Sequence, residues 1–298
     1  MEEGTVASTD VEAGLTQPGR SGGLKDVYRN RFLLKLLVRK EIKVRYRGSV
    51  LGIVWSYMRP GMQFLVFYIA LGLFLNAQGS TPNYPIYLFA GIVLVNFFTE
   101  ALGNATRSIV NNRDLIRKIY LPRELFPVAS VWVSAAHFLP QVLILLVVCL
   151  FFGWLPTLWS VLALIAAFVM LAVLAIGLGL FFGAINVYFR DSENLVDLLI
   201  MMVTWASPVL YLWSQVERVL GPFFPLYQLN PMTVAVEVFH WAFWRPTLDD
   251  AQLAAPSAAT VPGLFELWFP LAGVVTVAIL LVGQFTFSRL SVKFAQEL

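Results

Sequence analysis

The sequence predicts an all-α integral membrane protein with six transmembrane helices, an N-terminal interfacial helix and short re-entrant or gate helices on the outer side. Of the 298 residues, 58% are hydrophobic and 13% are charged, and the mean hydropathy is +0.73. A soluble domain would carry about 25% charged residues. Several apolar runs also reach the roughly 20 residues that cross a bilayer core. A soluble globular protein is therefore excluded.

The first 23 residues form a polar tail. They are rich in small residues and carry Glu2, Glu3, Asp10 and Glu12, without the apolar run of a signal peptide. A segment of this composition cannot bury enough apolar surface to fold. We expect residues 1–23 to be a disordered cytoplasmic tail.

Residues 24–48 are strongly basic, with nine basic and two acidic residues between Lys25 and Arg47. The apolar centre, residues 32–38, is too short to cross a membrane. Such a segment lies along the inner leaflet, with its basic side chains on anionic lipid headgroups. It either only sets the topology, or forms an interfacial helix that surrounds the membrane domain or contacts a partner. Aromatic residues are too sparse for nucleic-acid binding.

Residues 49–298 form the membrane domain. Its apolar runs are long enough to be transmembrane helices and are separated by short polar or charged connections. The predicted spans are residues 51–75, 86–108, 125–152, 158–185, 195–213 and 264–287.

The distribution of basic residues predicts the orientation of the spans. Lys and Arg concentrate in the N-terminal part, the second and fourth connections and the C-terminal tail, which together hold 19 of the 21. The opposite side has only Arg218 and Arg245. Because basic loops stay on the cytoplasmic side, both termini are expected in the cytoplasm, with the protein in the cytoplasmic membrane.

The second connection contains a short charged segment, residues 112–120, between two long apolar runs. Its length suits one short helix and a turn, and the orientation places it in the cytoplasm. A charged helix that joins two spans is a candidate lever, that is, a segment through which a partner outside the membrane could move the spans. The candidate residues are Asn112, Arg113, Asp114, Leu115, Ile116, Arg117, Lys118 and Tyr120.

The second span carries a polar stripe. Asn96, Glu100 and Asn104 follow each other at intervals of four, so they share one face of a helix. A carboxylate inside a membrane is costly and needs a partner or water. The stripe either lines a hydrophilic conduit, or Glu100 pairs with a neighbouring helix. Arg59, which precedes Pro60 in the first span, is a further conduit candidate.

An aromatic segment follows the fifth span, and prolines break it into short pieces. It is either an aromatic belt at the headgroup level or a gate, residues 214–247, whose rings stack on sugar faces. Glu237 is the one charged residue on its short apolar helix. The aromatic candidates are Tyr211, Trp213, Phe223, Phe224, Tyr227, Phe239, Trp241 and Trp244.

The sequence lacks the usual signatures of a catalytic, nucleotide or metal site. It has no phosphate-binding loop of the G-x-x-x-x-G-K-[ST] type and no cluster of Cys and His ligands. Cys149 is the single cysteine, inside an apolar run. His137 is either a hydrogen-bonded interhelical residue or a catalytic base. We expect no cofactor and no enzymatic activity on this chain.

Five short motifs, taken together and in order, resemble the membrane subunits of ABC-2 type polysaccharide exporters, the O-antigen and teichoic-acid exporter permeases. Together they extend over roughly residues 25–290. The N-terminal tail and the composition further favour an actinobacterial galactan exporter. The motifs lie at residues 43–55, 115–124, 186–191, 207–211 and 229–231.

The resemblance implies a homodimer of six-span subunits with two copies of a separate ATPase, which binds ATP and Mg²⁺. It implies a lipid-diphosphate-linked glycan as the substrate. Residues 112–120 would be the coupling helix that docks on the ATPase, and Arg190 with Asp191 would be a second cytoplasmic contact. Two alternatives remain: an ABC-2 exporter of a lipid or drug, and a membrane glycosyltransferase.

Overall fold

The structure is a computed structural model that describes residues 23–48, 52–119 and 121–297. All regular secondary structure within these ranges is helical, which confirms the predicted all-helical class. The predicted tail, apart from Gly23, and the candidate Tyr120 lie outside the described residues.

The basic N-terminal segment forms two helices instead of one. Helix α1 spans Leu24–Arg29, and α2 spans Arg31–Arg45. Asn30 separates them, and its side-chain amide donates to the carbonyl oxygen of Asp26 at 2.8 Å. This bond satisfies a carbonyl group near the end of α1.

The first half of the membrane domain contains one long helix and several shorter ones. Helix α3 spans Trp55–Phe67 and continues as a π-helical segment, Tyr68–Phe74. Pro60 lies inside α3, where it removes one backbone hydrogen bond. The next helices are α4 (Ala77–Ser80), α5 (Tyr84–Asn111) and α6 (Arg113–Lys118).

The second half begins with three helices, α7 (Leu125–Phe151), α8 (Leu158–Tyr188) and α9 (Ser192–Trp205). Short elements follow on the side opposite α6. They are α10 (Trp213–Leu220), α11 (Phe224–Gln228), α12 (Pro231–Phe239), a π-helical segment (His240–Trp244) and α13 (Asp250–Leu253). The chain ends with a π-helical segment (Leu264–Trp268), α14 (Phe269–Leu290) and α15 (Phe294–Glu297).

Among the described residues, four helices are long and apolar enough to cross a membrane: Tyr84–Asn111, Leu125–Phe151, Leu158–Tyr188 and Leu264–Lys293. They correspond to the second, third, fourth and sixth predicted spans. The chain is therefore a multi-pass membrane protein, as its composition predicts.

The other two predicted spans form shorter or interrupted helices. The described part of the first span is divided between α3 and the π-helical Tyr68–Phe74. In the fifth, α9 ends at Trp205 instead of Trp213. Pro208 explains this end, because a proline disfavours helical backbone at the residue before it, Ser207. The predicted count of six spans remains a prediction.

Helix α5 is the most buried of the four long helices, and α8 packs against both α5 and α14. Small residues permit this close packing. A Cβ atom on Gly177 would lie 2.8 Å from the backbone of Leu280 on α14, and one on Gly179 would lie 2.5 Å from Cβ of Ala105 on α5. These two glycines of α8 thus permit close helix packing within the protein.

Helix α12 is buried on all sides and packs against α5, α8 and α14. Asn230 caps its N-terminus by accepting a hydrogen bond from the amide of Met232 at 3.0 Å. Apart from Thr233 and Glu237 this short helix is apolar, so the bundle interior is the environment that suits it.

Candidate functional site

A polar cavity of about 860 Å³ lies beside α5, between the C-terminal end of α2, α3 and α9. The predicted conduit residues all line it: Arg59 from α3, and Asn96, Glu100 and Asn104 from α5. The polar stripe of the second span therefore faces a cavity, which suits the first of its two interpretations, and its role in a conduit remains a prediction.

Glu100 also fulfils the second interpretation, because it pairs with two neighbouring segments. The guanidinium of Arg45, the last residue of α2, donates to Oε1 of Glu100. Nδ1 of His137, on α7, lies 2.7 Å from the same oxygen. Arg45 Nη1 is also 3.1 Å from His137 Nδ1. One carboxylate thus joins the interfacial helix to two transmembrane helices.

The network continues through the other ring nitrogen of His137. The Tyr46 hydroxyl lies 2.8 Å from Nε2 of His137 and also hydrogen-bonds to the Ser56 hydroxyl. With neutral His137, the consistent assignment has Nδ1–H donating to Glu100 and Nε2 accepting from Tyr46. His137 is only 1% exposed, and it is a hydrogen-bonded interhelical residue, as one of its two interpretations expected.

A second charged cluster lies at the edge of the cavity, where Arg107 and Asp197 line it. Arg107, on α5, donates from Nε to Oε2 of Glu193 at 3.1 Å and from Nη2 to both carboxylate oxygens of Asp197 at 2.8 Å. The amide of Asn186 donates to Oε1 of Glu193 at 2.9 Å. These bonds fix the start of α9 against the end of α5.

Helix α6 contains most of the predicted charged lever, and its two faces differ. Ile116 is buried in an apolar cluster that includes Leu37 of α2. Arg117 and Lys118 are exposed, and Ile119 has extended backbone, so the helix ends before it. The charged face is therefore available to a partner while the apolar face anchors the helix.

The interfacial helix contacts this lever directly. Lys40, on α2, donates from Nζ to Oδ1 of Asn112 at 2.8 Å, and Asn112 is the residue that precedes α6. Arg45, five residues further along α2, contacts Glu100. Helix α2 thus connects the lever to the cavity wall.

The second predicted cytoplasmic contact, Arg190 with Asp191, lies on the exposed turn between α8 and α9. Glu193, at the start of α9, forms an ion pair with Arg107 near the C-terminal end of α5. The turn and α6 therefore both adjoin the same end of α5.

A family model described as ABC-2 type transporter matches residues 33–244 of the chain. The chain belongs to the ABC-2 type transporter family. The matched region includes α6, the polar stripe and the cavity-lining part of α9. The resemblance carried by the sequence motifs is thereby confirmed.

Characterised relatives resemble this ABC-2 transporter over most of its length. It is 31% identical over 239 residues to the O-antigen export system permease protein RfbA of Myxococcus xanthus. The aligned region covers 80% of this chain and 90% of the relative. It is 27% identical over 217 residues to RfbA of Klebsiella pneumoniae, covering 73% and 82%. It is 18% identical over 232 residues to the polysialic acid transport protein KpsM of Escherichia coli, covering 77% and 81%.

The aromatic candidates of this ABC-2 transporter separate into buried and accessible groups. Phe239 and Trp244 are core residues, and Trp244 donates to the carbonyl oxygen of Pro82 at 2.7 Å. Trp213 and Phe224 are also buried. The rings of this buried group face other protein atoms and not solvent.

The accessible candidates are fewer. Phe223 is 66% exposed, and Tyr211, Tyr227 and Trp241 are half-buried. Glu237 is buried, and its Oε1 has no hydrogen-bond partner among the described residues. Burial raises the pKa of the Glu237 carboxyl to about 8, which favours its neutral form. The role of this segment as a gate remains a prediction.

Sequence reasoning missed Arg45, Tyr46 and Ser56 as parts of the site of this ABC-2 transporter. From the sequence, Arg45 was identified only as one of the basic residues of the N-terminal segment, and no partner was identified for Glu100. The sequence feature that could have identified Arg45 and Tyr46 as site residues is their position inside the first family motif, residues 43–55. Within the described residues, no group of three or more His, Cys, Asp or Glu is placed to hold a metal ion.

Proposed function

We propose that the chain is the membrane subunit of an ABC transporter that exports a lipid-diphosphate-linked polysaccharide across the cytoplasmic membrane. The observation that carries this proposal is the 31% identity to an O-antigen export permease over 80% of the chain. The polar cavity supports it, because a glycan has many hydroxyl groups that need hydrogen-bond partners in a membrane. Within this class, a galactan is the first cargo to test.

The proposed topology has six spans, with both termini in the cytoplasm. Helices α3 and α9 would be the two shorter crossings. Helix α9 has 14 residues, about 21 Å at 1.5 Å per residue, so it would need local thinning of the bilayer or flanking extended residues. The concentration of Lys and Arg in alternate connections supports this orientation.

The proposed assembly is a homodimer with two copies of a separate ATPase, which carries the ATP and Mg²⁺ sites. The cavity in one chain is an open polar surface and not a closed channel. A second copy would supply the opposite wall. Apolar side chains on α3, such as Met62 and Val66, are exposed and offer a surface for a neighbouring copy or for lipid.

Helix α6 and the turn at Arg190 and Asp191 would dock on the ATPase subunits. Their exposed charges and their common position at the end of α5 support this role. When ATP binding brings the two ATPases together, α6 would transmit that movement to α5 directly and to Glu100 through α2.

Depletion of the protein in its native host tests the proposed function. We expect lipid-linked glycan to accumulate on the cytoplasmic side, where an impermeant glycosidase added to intact cells cannot reach it. Expression of the intact gene should restore the glycan to the outer surface.

Two outcomes would contradict the proposal. Loss of glycan synthesis, without accumulation, would favour a glycosyltransferase. Unchanged amount and location of all lipid-linked glycans would favour an exporter of a lipid or drug.

A further inference from the structure

We propose that Arg59, Asn96 and Asn104 form a binding site for a lipid-attached phosphate group, and that Gln141 accepts a hydroxyl of the first sugar joined to it. The inference rests on the proposed function and assigns residues that would recognise the charged end of the cargo. It begins from the polar groups of the cavity that have no partner.

The cavity is lined by three guanidinium groups, and only one lacks a carboxylate. Arg45 is paired with Glu100, and Arg107 is paired with Glu193 and Asp197. Arg59 makes neither an ion pair nor a hydrogen bond with any residue that the structure describes. A cation in a transmembrane helix is costly unless an anion or water stabilises it. Arg59 is therefore the cation that is available to an anionic ligand.

Two further donors on the same wall are also unused. The side-chain Nδ2 atoms of Asn96 and Asn104 are buried and have no hydrogen-bond partner within the described part of the chain. Each unmade hydrogen bond of a buried amide costs about 1–3 kcal/mol. Asn96 and Asn104 lie eight residues apart on α5, about 12 Å along the helix axis at 1.5 Å per residue. A lipid-linked diphosphate with its first sugar has acceptor oxygens along such a length, so different oxygens of one ligand would meet the two amides and the Arg59 guanidinium.

Gln141 supplies the complementary group. Its Nε2 donates to the carbonyl oxygen of His137 at 3.1 Å, which leaves its Oε1 buried without a partner. Gln141 lines the same cavity. Among the described residues its Oε1 has no donor, and a sugar hydroxyl that reached it could supply one. Phosphate oxygens accept and sugar hydroxyls donate, so a phosphate joined to a sugar matches both kinds of group.

The depth of Arg59 favours a phosphate carried by a lipid. Arg59 lies four residues after Trp55, the first residue of α3, which is about 6 Å along the helix axis at 1.5 Å per residue. This position is near the cytoplasmic end of the span, where lipid headgroups lie. Ser56 and Gln63 line the cavity on either side of it and provide further hydrogen-bonding groups.

Equilibrium binding of a labelled polyprenyl diphosphate tests the proposal. The complete transporter, with its ATPase, would be placed in nanodiscs of a zwitterionic phospholipid. We expect Arg59→Gln to bind the probe about tenfold more weakly, because a hydrogen bond to a charged group is lost. Arg59→Lys should lose less affinity for the probe than Arg59→Gln. The matched control is Arg39→Gln, which removes an exposed arginine that does not line the cavity.

Four competitors identify the source of the phosphate. Unlabelled polyprenyl diphosphate should displace the probe, whereas the uncharged polyprenol and inorganic diphosphate should do so only weakly. Phosphatidylglycerol should also be a weak competitor. Equal displacement by phosphatidylglycerol would overturn the assignment to cargo, since it would make this a general phospholipid site. Equal displacement by inorganic diphosphate would overturn the requirement for a lipid.

The binding result is independent of the export result. Unchanged binding of the probe by Arg59→Gln, or no binding by the unaltered complex, would overturn the inference. If glycan export still depends on the protein in the depletion experiment, the proposed function survives that failure. Conversely, weaker binding by Arg59→Gln in a protein without a role in export would support the site and contradict the function. Elution of the intact complex in size-exclusion chromatography checks that each variant is folded.

Discussion

Glu100 is a carboxylate on a transmembrane helix, and its partners determine whether it is tolerated there. An unpaired charge at the centre of a membrane helix costs about 2.5–3.5 kcal/mol on insertion scales. Arg45 and His137 both contact Oε1 of Glu100. The side chains of Arg45 and Glu100 are 36% and 30% exposed, so the pair is partly screened and its contribution is smaller than that of a fully buried pair.

Exchange of the two charges tests whether this pair stabilises the fold. We expect Arg45→Glu and Glu100→Arg each to lower the unfolding temperature of the purified transporter, because each places two like charges in contact. The double exchange should recover most of the loss, with a coupling free energy of about 1–3 kcal/mol. In the double variant, neutral His137 can accept a hydrogen bond from the arginine at position 100.

The control for this cycle is Arg39→Glu, combined with Glu100→Arg. Arg39 is exposed on the same helix, so this combination should show no recovery. Additive losses in the Arg45 cycle as well would mean that the contact with Glu100 contributes nothing to stability.

Helix α6 is amphipathic over only six residues, Arg113–Lys118. Such a short helix is not stable alone, and it is held by burial of Ile116 and by the contact between Lys40 and Asn112. The apolar contacts anchor α6 to the bundle, and the charged face contributes little to the fold. The exposed charges can therefore be changed without unfolding the protein.

Charge reversal on α6 tests its proposed coupling role. We expect Arg117→Glu combined with Lys118→Glu to reduce export by more than about tenfold, because lost charge pairs at an interface cost about 2–5 kcal/mol. The double variant should still form the dimer, since both side chains are exposed in the fold. Glycan export in complemented cells and ATP hydrolysis by the purified complex measure the effect.

A matched control is Arg29→Glu combined with Arg31→Glu. These two residues are exposed on α1 and α2 and undergo the same change of charge. Normal export by the Arg117 and Lys118 variant would remove α6 from the coupling mechanism. Equal loss in the control would attribute the effect to net charge.

At the scale of the whole molecule, the described residues form two apolar clusters. The larger extends through the membrane helices and includes α12, whereas the smaller includes Val27, Leu37 and Ile116, at the end of the bundle where α6 lies. The smaller cluster joins α1, α2 and α6 to the bundle. Many apolar side chains outside the clusters are exposed, as expected for a chain whose surface meets lipid and other subunits.

Site-directed labelling tests the six-span topology. In a Cys149→Ala background, an impermeant maleimide added to intact cells should label Gln78→Cys and Val219→Cys. It should label Asp114→Cys and Asp191→Cys only after permeabilisation, because their connections are proposed to be cytoplasmic. All four positions are exposed in the fold, and Val219 is 83% exposed, so burial within this chain does not limit labelling.

The pattern distinguishes six crossings from fewer. If α3 did not cross, Gln78→Cys would be labelled only after permeabilisation. If α9 did not cross, Asp191→Cys and Val219→Cys would both be labelled only after permeabilisation. Either result would contradict the proposed topology.

Features that depend on neighbouring residues along the chain were accessible from the sequence. Apolar runs identified the long helices, since length and composition alone determine whether a helix can span a bilayer. The intervals between Asn96, Glu100 and Asn104 predicted a shared face, because helix geometry is local. Orientation was predicted from Lys and Arg in the connections.

Features that depend on contact between distant segments required the packed structure. Nothing in the intervals of the sequence indicates that Arg45 meets Glu100 or that Glu100 meets His137, because the packing of three helices brings these groups together. The aromatic segment, residues 214–247, has the same composition whether it lies at an interface or in a core. Packing against α5, α8 and α14 buries α12. Composition therefore specified the helices and their environment, and side-chain packing between helices specified which polar groups face the cavity.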